Sequence, residues 1–340
     1  MRRMRGRREE VLIWDEGQHR KRCQKVNDWK RLDGNGVSSR LRDPLIPREG
    51  RRHWRTGRLI PFMSSENDYN LPESFRDPSS RAEAFLRAAV WSGAGGNPAQ
   101  ASGMLALYPE LAAADFWCAC VAGNADAVEA ALQKKPELAR RKGGALGWEP
   151  LLYACFSSFL ETGSRRGEGE PFVRIVDQLL NVGADPNAAF TAPEASGSPR
   201  ETALYGASGI ANHPGVTERL LKAGADPNGG EPENGGPETV YHTAEFRDLR
   251  CLRLLFAHGV SQAARDYCLY RQLDFEAPEG TRLFLENGAN PNGKPGPLGT
   301  ALHHAIRRGR SREVIRLLLA AGADPRRTDA AGLTPYRLAA

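Results

Sequence analysis

A five-residue pattern recurs along the chain and constrains its fold more than any other feature. It occurs at residues 183–187 (GADPN), 224–228 (GADPN) and 288–292 (GANPN), and its first four residues return at 322–325 (GADP). Counting a weaker copy at Gly259, the successive glycines are 41, 35, 29 and 34 residues apart. Self-similarity with a period of roughly 20–50 residues is typical of chains built from stacked structural repeats.

The residues around each glycine predict the end of a helix. Apolar residues at spacings of three and four, such as Val314, Leu317 and Leu318, precede the pattern and form one helical face that a neighbour must cover. A following glycine readily adopts the left-handed conformation that ends a helix, and the Asp-Pro or Asn-Pro step prevents the helix from continuing. Four glycines share this prediction: Gly183, Gly224, Gly288 and Gly322.

A second signature lies about 20 residues before several of these glycines. Residues 300–305 (TALHHA) match the pattern T-P-L-H-x-A in all but the proline, and residues 202–207, 239–244 and 149–154 are looser copies. Because both signatures recur in the same order at a similar offset, the chain resembles the ankyrin-repeat family over roughly residues 113–340.

The resemblance implies an all-α fold, an ankyrin-repeat α-solenoid of stacked helix-turn-helix units with finger loops. We expect an ankyrin-repeat domain at 63–340, with an N-terminal cap at 79–112, repeats at 113–326 and a truncated last repeat at 327–340. These boundaries include about seven complete or near-complete units and one half unit. Five apolar residues of the cap are expected to face the stack: Phe85, Leu86, Ala89, Met104 and Leu107.

The threonine and histidine of the second signature have a structural role in the family. The resemblance implies that the histidine hydrogen-bonds the neighbouring threonine hydroxyl and backbone, which fixes the turn into the first helix. Thr300 with His303, and Thr239 with His242, occupy the matching positions. The alternative is a metal or catalytic role, but adjacent helical residues such as His303 and His304 diverge by about 100° and make a poor chelate. We therefore predict no enzyme, no cofactor and no metal site.

The six cysteines form no CxxC pair, which favours buried, reduced thiols.

No run of about 18 apolar residues exists, and the N-terminus lacks a signal-peptide core, so the sequence predicts a cytoplasmic protein without a membrane span. The GADPN form and the richness in Ala, Arg and Gly suggest a GC-rich bacterial genome.

The first 62 residues differ from the rest of the chain. They contain 18 Lys and Arg against 8 Asp and Glu, a net charge of +10, whereas residues 63–340 carry −4. A segment this charged and poor in apolar residues is expected to be disordered. Met63 is one candidate for the native start. If the leader is native, three tryptophans among its arginines suit stacking on single-stranded nucleic acid: Trp14, Trp29 and Trp54.

Ankyrin units bind partners through their fingers and the inner helices, so the resemblance implies a non-enzymatic protein–protein interaction module with an unidentified protein partner. The alternative is a nucleic-acid-associated protein that uses the basic leader while the repeats recruit partners. Insertions at 157–171, 188–200 and 229–238 either enlarge the binding face or reflect neutral drift. The predicted partner-binding residues lie on fingers or inner helices: Phe190, Tyr205, Tyr241 and Arg307.

Overall fold

A computed structural model describes residues 77–91, 96–160, 170–191, 200–229, 238–293 and 298–339. Paired helices make up most of these residues, so the predicted all-α class is confirmed. Strands β1 (Ala189–Thr191) and β2 (Arg200–Thr202) form one antiparallel hairpin, which pairs Phe190 with Glu201. Within the described residues there are seven helix pairs followed by one single helix.

The first helices of the pairs contact one another in chain order, which builds one row of the stack. They are α1 (Pro78–Ala89), α3 (Phe116–Ala122), α5 (Pro150–Cys155), α7 (Ala203–Tyr205) with the π-helical segment Gly206–Ile210, α9 (Glu238–Thr243), α11 (Gln262–Gln272), α13 (Ala301–Arg307) and α15 (Pro335–Ala339).

The second helices form the other row, in which α4, α6, α8 and α10 contact in series and α12 contacts α14. They are α2 (Pro98–Leu107), α4 (Ala125–Lys134), α6 (Glu170–Asn181), α8 (Pro214–Lys222), α10 (Arg250–Ala257), α12 (Pro278–Glu286) and α14 (Arg312–Ala320). Short 3₁₀ turns at Pro109–Ala113 and Pro136–Arg140 follow α2 and α4.

The helix α14 illustrates how the sequence produces one unit. The Ser311 hydroxyl caps its start by accepting a hydrogen bond from the Val314 N–H. Val314 and Leu318, four residues apart, are completely buried on the face that meets α12 and α13. Because each unit covers the apolar face of the next, the core runs along the stack rather than forming one centre.

The four glycines of the recurring pattern all lie in the left-handed region, with φ between 83° and 96°. The N–H of the alanine after each glycine donates back to a carbonyl five residues earlier, as Ala225 does to Leu220 and Ala323 does to Leu318. This bond satisfies a carbonyl that the helix end would otherwise leave unpaired. The four glycines are Gly183, Gly224, Gly288 and Gly322.

The asparagine that closes the pattern connects consecutive units. Asn228 Nδ2 donates to the Gly259 carbonyl at 3.0 Å, and Asn228 Oδ1 accepts from the Ser261 N–H at 2.7 Å. Asn187 and Asn292 make the same two bonds to the next unit, at 2.7–3.1 Å. We call this series of bonds the asparagine ladder.

The ladder continues where the asparagine is missing. The weak copy at Gly259 has no asparagine, and the next unit follows after only 29 residues. There Gln262 Nε2 donates to the Gly288 carbonyl at 2.8 Å, and Asp266 Oδ1 accepts from the Asn290 N–H at 2.7 Å. Two side chains of α11 thus replace one asparagine, which explains how the stack tolerates the short unit.

The cap prediction was wrong at one position. Phe85, Leu86, Ala89 and Met104 are buried, but Leu107 is 56% exposed. Leu107 is the last residue of α2, and the 3₁₀ turn that follows places Leu111 in the core instead. The cysteines that the structure describes are buried, and none of them forms a disulfide with another described cysteine: Cys118, Cys120, Cys155, Cys251 and Cys268.

Candidate partner-binding surface

Thr300 and His303 form a closed hydrogen-bond unit at the start of α13. Nδ1 of His303 lies 2.8 Å from the Thr300 hydroxyl and 3.1 Å from the Thr300 N–H, which donates to it. On the other side of the ring, Nε2 lies 3.0 Å from the Leu333 carbonyl of the next unit. Both residues are completely buried, so the imidazole holds two units together and is inaccessible to a ligand.

The prediction that His242 hydrogen-bonds Thr239 in the same way was wrong. His242 Nε2 lies 3.1 Å from Glu238 Oε2 and Nδ1 lies 3.1 Å from Glu245 Oε1. Thr239 is the second residue of α9 rather than its cap, and its buried hydroxyl has no hydrogen-bond partner among the described residues. Because two carboxylates capture the ring, His242 faces the surface of the first helices, and its side chain is 34% exposed.

Asp274, just after α11, is the centre of an ion-pair group. Its carboxylate lies 2.7 Å from Arg308 Nη2, 2.9 Å from His304 Nε2 and 3.2 Å from Arg271 Nη1. The Arg271 guanidinium also lies over the ring of Tyr241, with Cζ 4.8 Å from the centroid. Burial opposes ionisation of Asp274, but His304, Arg308 and Arg271 outweigh it and lower the pKa of this carboxyl.

The ion pairs continue from Arg271 towards α9. Arg271 Nη2 lies 2.8 Å from Glu245 Oε1, the oxygen that His242 also contacts. Positive and negative groups therefore alternate along three first helices. We call this series the charge row, which consists in order of Arg308, Asp274, Arg271, Glu245, His242 and Glu238.

His242 is protonated at neutral pH. Burial disfavours the charged ring, but the hydrogen bonds and charges of Glu238 and Glu245 outweigh it and raise the pKa of His242 to about 9. For Glu201, on β2, the surroundings favour the neutral form instead. Burial and the nearby charge of Glu238 raise the pKa of its carboxyl to about 7, with only a partial offset from His242.

Aromatic rings follow the same surface. Neighbouring centroids are 4.0–6.1 Å apart, within the range in which aromatic pairs attract. Trp148 and Phe156 are buried, whereas Tyr267 is 42% exposed. In order, this aromatic row consists of Trp148, Phe190, Phe156, Tyr205, His242, Tyr241 and Tyr267. We use the name first-helix face for the aromatic row, the charge row and Glu201 together.

Glycines of the π-helical segment allow these rings to approach each other. A Cβ at Gly206 would lie 2.7 Å from the Cys155 carbonyl oxygen, and one at Gly209 would lie 2.7 Å from the Tyr205 ring. A side chain at Gly206 would collide with the preceding first helix, and one at Gly209 would displace the Tyr205 ring. The segment therefore places Tyr205 between Phe156 of the preceding unit and His242 of the following one. π-helical turns are frequently found at functional sites.

Three of the four predicted partner-binding residues lie on this face. Phe190, Tyr205 and Tyr241 are half-buried members of the aromatic row. Arg307 lies elsewhere: its guanidinium pairs with Asp329 and donates to the Leu298 carbonyl. Arg307 therefore has a structural contact within the last units.

Sequence reasoning missed other members of the face. Trp148 precedes α5, Tyr267 belongs to a degenerate unit, and Glu201 lies on a finger arm, so none falls in a repeat signature. The signal was the density of Tyr and Glu near the loose copies at 202–207 and 239–244. Recognising it required knowing which residues of neighbouring units meet.

Within the described ranges, no three His, Cys, Asp or Glu side chains are grouped so that they could hold a metal ion. No helix there is both long and apolar enough to cross a bilayer. The segment 1–62, the tips of the fingers and most of the insertion at 157–171 lie outside the described residues, so the nucleic-acid alternative stays a prediction.

Comparison with known proteins agrees with this architecture. Residues 284–339 match the family described as ankyrin repeats (many copies). The chain contains ankyrin repeats. The ankyrin repeat domain of Bcl-3, described as a unique member of the IkappaB protein family, has 22% sequence identity and a TM-score of 0.51. That alignment covers 66% of this chain and 93% of the solved Bcl-3 domain, and it supports the solenoid fold.

The ankyrin repeat domain of human ASB11 is also similar, with 22% identity, a TM-score of 0.49, and coverage of 66% of this chain and 91% of that one. No curated protein matches the chain. Ankyrin repeats in general are protein–protein interaction modules, and stacked repeats create extended binding surfaces.

Proposed function

We propose that this chain is a non-enzymatic interaction module that binds a protein partner through the first-helix face. The observation that supports the proposal is the aromatic row, which connects first helices of consecutive units and leaves Tyr205, Tyr241 and Tyr267 accessible. Half-buried aromatic side chains are the usual anchors of protein interfaces, since they contribute a large contact area and lose little conformational entropy.

The face is also held in place before a partner arrives. Ion pairs fix His242 and Arg271 from both sides, and the glycines of the π-helical segment fix the position of Tyr205. A pre-ordered surface binds more tightly because less side-chain entropy is lost on association. These features favour a defined partner segment that lies across several units.

The test is affinity capture from a lysate of the source organism with the full chain as bait, after nuclease treatment and over a salt series. We expect the variant Tyr205→Ala/Tyr241→Ala to lose the captured proteins. Tyr336→Ala is the matched control, because Tyr336 is 78% exposed on α15 and lies outside the aromatic row. Circular dichroism would verify that each variant is folded.

Equal capture by the double variant and the wild type would show that the first-helix face is not the binding surface. Capture that disappears with nuclease would instead support the basic leader as the functional element, since such binding is electrostatic and salt-dependent.

A further inference from the structure

The two ends of the charge row differ, since one ends at the cation Arg308 and the other at the carboxylate Glu238. From Arg308 to Glu238, every carboxylate contacts a positive group: Asp274 contacts Arg271, Glu245 contacts Arg271 and His242, and Glu238 contacts His242. Beyond Glu238 the next charged group is Glu201, a second carboxylate. Within the described residues, no ion pair or hydrogen bond reaches the Glu201 carboxylate.

Glu201 is placed beside aromatic rings. It pairs with Phe190 across the β hairpin, so the two side chains lie on the same side of the two strands. Its charge also acts on the Tyr205 hydroxyl, whose pKa is raised by burial and by Glu201, Glu238 and Glu245. Glu201 is therefore a partly buried carboxylate near Phe190 and Tyr205 that forms no ion pair with a described residue, although the charge of His242 also acts on it.

The same face shows what fills such an arrangement. One unit further along, the guanidinium of Arg271 lies over Tyr241 and binds the carboxylates of Glu245 and Asp274. Aromatic rings and carboxylates together favour a guanidinium or ammonium group, because the ring face and the carboxylate both carry negative potential. Among the described residues, Arg271 supplies that cation at Tyr241, and none pairs with Glu201.

The neighbouring sequence does not provide the missing cation. The loop sequences 192–199 and 230–237, which flank β2 and α9, contain three glutamates and no lysine or arginine. Arg200 and Thr202 alternate with Glu201 along β2 and therefore point to the opposite side. The surroundings are complementary in charge to a basic partner.

We infer that the first-helix face binds a basic segment of its protein partner, and that an arginine or lysine of that segment pairs with Glu201 beside Phe190 and Tyr205. This inference rests on the proposed function and adds the chemistry of the partner. The raised pKa of the Glu201 carboxyl agrees with it, since a desolvated carboxylate gains most from a new positive neighbour.

The test starts with selection of a phage-displayed library of random twelve-residue peptides on the full-length chain. Selected peptides are synthesised, and their affinities are measured by fluorescence anisotropy for the wild type, Glu201→Gln, Tyr205→Ala, Tyr241→Ala and Glu279→Gln. Glu279 is an exposed glutamate on the second helix α12, so Glu279→Gln is the matched charge control.

We expect peptides that lose affinity with Tyr205→Ala to share an arginine or lysine. Glu201→Gln should weaken them about 10-fold to 100-fold, and Glu279→Gln should not. Replacing the shared arginine by citrulline, or the shared lysine by norleucine, should weaken binding to the wild type equally, with little further loss on Glu201→Gln. This double-mutant cycle assigns the effect to one pair of groups.

Peptides that depend on Tyr205 but have no basic residue, or that bind Glu201→Gln as tightly as the wild type, would overturn the inference and leave the proposed function intact. If no selected peptide depends on Tyr205 or Tyr241, both proposals fail. The peptide substitutions keep the test decisive even if a protein variant does not fold.

Discussion

The unit that begins at Thr300 and the unit that begins at Thr239 contain the same Thr-x-x-His spacing but use it differently. In the first, His303 is buried and bonded to Thr300 and Leu333, so it contributes to the stack. In the second, His242 is turned towards Glu238 and Glu245 and belongs to the surface. Because His242 does not join two units, its side chain is available at the surface.

The largest expected effect separates these two histidines. His303→Ala removes a buried ring and leaves the Thr300 hydroxyl and the Leu333 carbonyl unpaired, so we expect a loss of about 3 kcal/mol in stability. His242→Ala removes partly exposed contacts and should cost less than about 1 kcal/mol. Urea unfolding gives the totals, and amide hydrogen exchange over residues 298–339 locates the loss. Equal costs for the two variants would remove the distinction.

A second effect concerns the asparagine ladder, which passes through regular and irregular units alike. Asn228→Ala removes two hydrogen bonds between units and should destabilise the chain by about 1–2 kcal/mol in urea unfolding. Asn181→Ala is the control, because Asn181 is exposed at the end of α6 and should change stability by less than about 0.5 kcal/mol. Indistinguishable midpoints for the two variants would show that the ladder bonds add no net stability.

This comparison also shows what the sequence alone could predict. The conformation of the four glycines follows local rules of helix ends and could be predicted from the sequence, whereas the bond between Thr300 and His303 was implied by the resemblance to ankyrin repeats. Replacement of the ladder asparagine by Gln262 and Asp266 could not be predicted, because it depends on which side chains of the short unit reach the next one.

The surface was only partly predictable for the same reason. Phe190, Tyr205 and Tyr241 were identified as aromatic residues on fingers or first helices. The contact of Tyr205 with His242, and the proximity of Glu201 to Glu238, each join residues 37 positions apart in sequence. No local sequence pattern identifies such pairs. Arg307 was likewise predicted to bind a partner, but its guanidinium is bound to Asp329.

A third and smaller effect tests whether Glu201 is retained at the expense of stability. Its folded pKa of about 7 lies above the ordinary value of 4.5, so ionisation penalises the folded state increasingly between pH 4.5 and 7 and fully above pH 7. Glu201→Gln should therefore be more stable than the wild type by about 1 kcal/mol at pH 8 and equally stable at pH 4. Thermal unfolding at both pH values measures this, and a destabilised variant at pH 8 would contradict it.

The smallest expected effect is the pH dependence that His242 contributes. Its folded pKa of about 9 lies above the ordinary 6.5, so its stabilisation is fully present below pH 6.5 and is lost as the pH rises through 9. Because the side chain is about one third exposed, solvent screening reduces this contribution to about 1 kcal/mol or less.

His242→Gln cannot be protonated, so the difference in stability between the wild type and this variant should shrink between pH 6.5 and 9.5. An NMR titration of the His242 ring protons in the full chain would give the pKa directly, with Glu238, Glu245 and Tyr205 as the neighbouring groups. A midpoint near 6.5 would mean that the two carboxylates do not hold the ring, and the charge row would then end at Glu245. A midpoint near 9 would mean that Glu238 and Glu245 hold the protonated ring of His242. Glu201 would then be the carboxylate of this face that lacks an ion-pair partner among the described residues, and a basic residue of the partner would supply it.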